Sequence, residues 1–133
     1  MYNKYIKVMK KHYETLFILT PVLSQIKVEE TVEKIENFLK KKNAIIEYHE
    51  SWGLKKLAYS INNKTTGYYE LIQFQIDYTK ASKNKNIISD LDINLKRNEK
   101  VIRYLTVKLD KYALVYAKNR IQKIKSFKID NYD

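Results

Sequence analysis

Few side chains in this chain could do chemistry. His12 and His49 are the only imidazoles among 133 residues. They fall in different segments, and neither has a second nitrogen or sulfur ligand close by in sequence. That spacing argues against a metal centre, which needs several ligands converging on one ion. Cysteine is absent, which removes disulfides, thiolate metal sites and thiol nucleophiles and fits a reducing compartment. Asp90 and Asp92 stand two apart on a predicted helix, where they cannot face one another as an acid–base pair. The serines and threonines lack a neighbour that would activate them. The two glycines, Gly53 and Gly67, are isolated, so no glycine-rich phosphate loop exists. No enzyme class is supported, and no cofactor, metal or small-molecule substrate is expected.

Rings and lysines are more informative. The chain has twelve tyrosines and one tryptophan. Tyr68, Tyr69, Tyr59 and Trp52 are interleaved with Lys55, Lys56 and Lys64. Rings beside lysines on a bare sheet are what base stacking needs. For any single tyrosine, core or cross-strand packing is the commoner use of such a ring.

The formal net charge is +11, and its placement is uneven. Lys4, Lys7, Lys10 and Lys11 open the chain with no acid among them. Lys111, Lys118, Arg120, Lys123, Lys125 and Lys128 close it against Asp130 and Asp133 alone. Basic arms at chain ends suit a polyanion, because each lysine that neutralises a phosphate releases counterions. Arginine occurs only as Arg97, Arg103 and Arg120, and Lys, Asn and Ile are abundant, as in an AT-rich code. Some lysines therefore record codon usage and a solvated surface. No apolar run approaches the ~20 residues that span a bilayer, and no signal-peptide core follows the first lysines. A membrane partner is not expected.

Six elements must position these groups. Residues 13–20, YETLFILT, read as a central strand, apolar on both faces over Leu16 to Leu19. Pro21 ends it. Residues 25–42 read as a helix with Val28, Val32, Ile35 and Leu39 in one stripe. Glu29, Glu30, Glu33 and Glu36 fill its first half, and Lys40 to Lys42 close it, an order that complements the helix dipole. Asn43 suits a left-handed stop. Residues 44–61 are extended, with Gly53 marking a bulge or bend. NNKTTG (62–67) reads as a hairpin loop, and residues 68–78 return as a strand. After a polar loop over 79–86, Asn86 caps a second helix over 87–97, stopped by Asn98. Residues 101–109 form a fourth strand with Val101, Arg103, Leu105, Val107 and Leu109 on one face.

The order is β-α-β-β-α-β. It predicts an α+β protein with the ferredoxin-like plait, a four-stranded antiparallel sheet with two helices on one face. Three regions result: a basic N-terminal extension at 1–11, the plait at 12–110 and a basic C-terminal tail at 111–133. One sheet face is expected to be free of helices and open to a partner. The RNA-recognition motif shares this fold. Leu16, Phe17 and Ile18 meet its short signature, but Thr66, Glu70 and Gln73 stand where its long signature needs a base and two rings.

Segment 51–61, SWGLKKLAYSI, followed by GYYELIQF (67–74), resembles the small-subunit ribosomal protein six family of bacteria. The resemblance rests on Trp52-Gly53, the basic pair Lys55-Lys56, Leu57-Ala58-Tyr59 and Ile61. Tyr13-Glu14 matches the family's opening, and Asn98, Glu99, Val101, Ile102 and Arg103 match its ending. It runs from about Lys10 to Lys118. Ser60 stands where many members have proline. Lysines stand at 55 and 56 where many have arginine, exchanging a planar fork for a point charge. Members usually begin near MKKHYE, which starts here at Met9. Residues 1–8 are either an over-extended start or a basic arm.

This resemblance implies a structural constituent of the small ribosomal subunit. Such a protein binds small-subunit (16S) rRNA together with ribosomal protein eighteen, as a heterodimer, during platform assembly. It also implies RNA contacts at Lys10, Lys11, His12, Tyr13, Arg97 and Arg103, and in the tail at Lys118, Arg120 and Lys123. Trp52, Lys55, Lys56, Leu57 and Tyr59 would face the partner protein. The expected location is a cytoplasmic ribosome, with a plastid fitting the code equally. The competing expectation is a free-standing RNA-binding regulator that uses the exposed sheet face.

Overall fold

The computed structural model describes residues 9–78, 86–110 and 119–120. Its elements are β1 (Lys10–Leu19), α1 (Gln25–Lys41), β2 (Ile45–Ile61), β3 (Lys64–Asp77), α2 (Ile87–Arg97) and β4 (Val101–Leu109). The four strands form one sheet in the order β2-β3-β1-β4, and every neighbouring pair is antiparallel. This is the ferredoxin-like plait expected from the order of elements.

The core lies between the sheet and its two helices. Val28, Val32, Ile35 and Leu39 of α1 and Ile87, Leu91 and Leu95 of α2 are buried against Phe17, Leu19, Ile72, Phe74 and Ile76. Phe17 and Leu19 share a face of β1, and Ile72, Phe74 and Ile76 share a face of β3, because side chains alternate along a strand. The helix stripe read from spacings of three and four is the buried stripe.

Local chemistry sets the ends. Ser24 caps α1, its hydroxyl accepting from the Lys27 amide at 3.3 Å. The first turn of α1 carries no acid, while Lys40 and Lys41 occupy the last. The dipole argument therefore holds only at the C-terminal end, because the glutamates start at the fifth residue. Asn43 has φ 68°, the left-handed stop. Asn86 precedes α2 without a side-chain cap, and the Asn98 amide closes α2 onto the Leu95 carbonyl.

Three strand details differ from expectation. β1 begins at Lys10, because Lys10, Lys11 and His12 pair with Asp77, Ile76 and Gln75. The hairpin turn is only Asn62-Asn63, with φ of 50° and 65°, and Lys64 to Gly67 belong to β3. A two-residue turn with both φ values positive matches the right-handed twist of the strands, and asparagine tolerates it. Val101 does not share a face with Arg103. The register shifts between Ile18 and Leu19, so Arg103 pairs with Ile18 but Val101 with Leu19, and Val101 packs on the helix-side core.

The glycines hold two tight places. Gly53 has φ +78° where the register of β2 slips between Ser51 and Gly53, so it serves the expected bulge. Gly67 lies against β1: a Cβ there would collide with the Ile18 side chain and stand 3.2 Å from the Leu19 carbonyl.

Candidate nucleic-acid and protein interface

β1 divides its basic entry between two faces. Lys10 and His12 alternate with Lys11 and Tyr13. Tyr13 turns to the helix side, where its ring stacks on Phe74 (5.7 Å between centroids) and its hydroxyl meets that of Tyr78 at 2.9 Å. His12 turns to the other side and reaches across β3, Nδ1 lying 2.6 Å from Glu47 Oε1. The four residues expected at one phosphate site are thus two pairs on opposite faces.

The two arginines of the plait are likewise apart. Arg97 ends α2 and lines a groove of about 520 Å³ with Phe38, Lys42, Asp90, Ile93 and Asn94. Lys42 Nζ joins Asp90 at 3.3 Å across that groove and sits over the Phe38 ring. Arg103 is exposed on the helix-free face of β4, beside a shallow 180 Å³ depression formed with Leu16, Ile18 and Leu105.

β2 is an edge strand of the sheet. β4 is the other edge, and an edge strand leaves one row of backbone polar groups unpaired by the sheet. Trp52 lies at the bulge and stacks on Tyr69, 5.9 Å and 11° apart. That contact serves cross-strand packing, and about a third of the Trp52 surface stays exposed. Lys55 and Lys56 are exposed, Tyr59 is 81% exposed, and Leu57 is buried. A row of lysines and one tyrosine therefore lines the outer arm of the hairpin.

Two polar clusters went unnoticed in the sequence. On the helix side, Glu70 is 1% exposed, with His49 Nε2 at 2.8 Å and the Ser51 hydroxyl donating at 2.5 Å. Glu36 of α1 lies 3.6 Å from His49 Nδ1. The Glu70 hydrogen bond and the surrounding carboxylates push the His49 pKa up, against the opposing effect of its burial. An acid inside the apolar run YYELIQF was the available signal. On the helix-free face, Arg120 Nη2 contacts Glu14 Oε2 at 3.5 Å. These residues are 106 apart in sequence, and no local pattern links them. Lys118 and Lys123 lie outside the described residues. Among the described residues no group of three or more His, Cys, Asp or Glu is placed to hold a metal.

These features define a small, basic ferredoxin-like plait protein with an accessible edge strand. The family model described as Ribosomal protein S6 matches residues 12–108. The small ribosomal subunit protein bS6 of Parabacteroides distasonis is 50% identical over 109 residues, covering 82% of this chain and 86% of that protein. Its counterpart in Flavobacterium johnsoniae is 44% identical over 117 residues, covering 88% of this chain and 97% of that protein. The crystal structure of 30S ribosomal protein S6 from Thermotoga maritima superposes with a TM-score of 0.65 at 23% identity, covering 86% of this chain and 99% of that one, which supports the fold. The chain belongs to the ribosomal protein S6 family, a structural and non-enzymatic component of the small ribosomal subunit.

Proposed function

We propose that this chain binds small-subunit (16S) rRNA jointly with ribosomal protein eighteen during assembly of the subunit platform. Family membership carries the reading. The net charge of +11 supports it, as does an edge strand whose lysines and Tyr59 are exposed. Lys10, Lys11 and Arg97 supply phosphate contacts, with Arg103 reaching phosphate or a base edge. His12 is held by Glu47 and adds a ring donor beside these lysines. Tyr13 supports this entry by fixing the strand through its ring and its hydroxyl. Trp52, Lys55, Lys56, Leu57 and Tyr59 make up the partner-facing arm, in which Leu57 is a packing residue. Lys118 and Lys123 extend the contact from the tail. The plait takes in Lys10 and Lys11 through β1, so the basic arm expected at 1–11 is the stretch ahead of Lys10; it and the tail at 111–133 act as basic arms flanking the plait, in the cytoplasmic ribosome.

A gel shift on a platform-junction RNA tests this reading. Weak binding by the chain alone and strong binding once ribosomal protein eighteen is present is the expected outcome. Tight binding of short single strands by the chain alone would favour the free-standing regulator instead.

A further inference from the structure

The sheet face turned away from α1 and α2 has a buried centre. Gln73 is 2% exposed and Leu71 1%, although both alternate along β3 with the side chains packed under the helices. The register lays a row across this face: Val107 of β4, Glu14 of β1, Gln73 of β3 and Tyr48 of β2. Glu50 follows on β2, opposite Leu71. Arg120 reaches this row, Nη2 lying 3.5 Å from Glu14 Oε2. Burial and the neighbouring Glu50 push the Tyr48 phenol pKa up, and the charge of Arg120 opposes them. Three buried polar atoms here lack a hydrogen-bond partner: the acceptors Glu50 Oε2 and Gln73 Oε1, and the donor Arg120 Nε.

We infer that Glu14, Glu50 and Gln73 form a guanidinium site on the helix-free face, and that Arg120 of the chain's own tail is its occupant. Two carboxylates placed where water is thin need a cation beside them. The acceptors are spread over three adjacent strands, each about 4.8 Å from the next. A planar group with five donors addresses such a spread, and a compact ammonium does not. Arg120 held here closes over the acceptors at the centre of the face. An RNA or a protein docking on this face must displace Arg120 or bind around it.

Thermal melts of the full chain, with R120A, R120K, E14Q and E14Q/R120A, test the inference without any RNA. R120A is expected to lower Tm by roughly 5 °C, and R120K to recover less than half of that. E14Q/R120A should melt close to the weaker single variant, because the two residues share one contact. The side-chain amide resonances of Gln73 should move in both Arg120 variants. Parent-like melting of R120A with unmoved Gln73 resonances would overturn the inference, as would additive losses from E14Q and R120A. Should R120A fail to fold, R120K and the Gln73 resonances decide the matter.

Discussion

His49 Nε2 lies 2.8 Å from Glu70 Oε2, joining the edge strand to its neighbour beneath α1. Glu70 belongs to β3, and its carboxylate is almost wholly buried. Glu36 comes down from α1 onto the other ring nitrogen. His49 lines a pocket of about 330 Å³ together with Val28, Val32, Glu33, Glu36, Ser51 and Glu70. The cluster is thus a charged joint in a layer that is mostly apolar, and only the protonated imidazole can donate to both carboxylates.

A pH dependence follows. The Glu70 hydrogen bond holds the His49 pKa above its ordinary value of 6.5 in the fold. A raised folded pKa adds stability that is fully present below the unfolded value and is lost as pH rises through the folded one. Denaturant melts should therefore show the parent losing stability from about pH 6 upward, and H49Q losing the His49 share of that slope. E70Q should flatten the slope too and cost on the order of 1 kcal/mol near pH 6. Equal slopes in the parent and H49Q would refute the joint.

The two glycines separate two physical effects. Gly67→Ala meets Ile18 and the Leu19 carbonyl and should cost about 1–3 kcal/mol through overpacking. Gly53→Ala meets nothing within 4 Å, so its cost, about 1 kcal/mol, comes from the positive φ alone. Chemical denaturation of the two variants measures both. A larger loss at Gly53 than at Gly67 would contradict the close approach of β1 and β3.

The hairpin turn can be improved. Asn63→Gly retains the positive φ of the turn and removes the remaining steric cost. A gain of a few tenths of a kcal/mol is expected, read as a higher denaturant midpoint. A loss would mean that the turn does not need two left-handed residues.

Most of the plait could be read from the chain, for identifiable reasons. The Val28–Leu39 stripe, the stop at Asn43 and the bulge at Gly53 are local signals, and each is found where it was expected. Lys10 to His12 escaped because charged residues hide a strand that ends at a sheet margin. Asn62-Asn63 escaped because a run of polar residues does not show where the pairing stops. Val101 changed face because its phase depends on an irregularity where β1 pairs with β4. Within the candidate interface, Lys55 and Lys56 were legible as exposed charges. The exposure of Tyr59 was not, because a tyrosine on a strand suits core packing as well as a surface, and of Leu57 and Tyr59 only Leu57 is buried. The partners Glu70–His49 and Arg120–Glu14 were not, since only the register of distant strands brings them together.

Phosphate contact makes a prediction about salt. If about four to six phosphates are neutralised, RNA affinity should fall by one to a few orders of magnitude between low and moderate salt. Lys10→Ala or Arg97→Ala should each reduce the slope of log affinity against log salt by about 1. A flat response across that range would count against phosphate binding.

Sedimentation of a cell extract through a sucrose gradient tests the central claim most directly. A structural constituent of the small subunit should travel with small-subunit particles at low salt and remain there when free protein is washed away. Finding the chain only at the top of the gradient, with small subunits complete in its absence, would contradict that assignment.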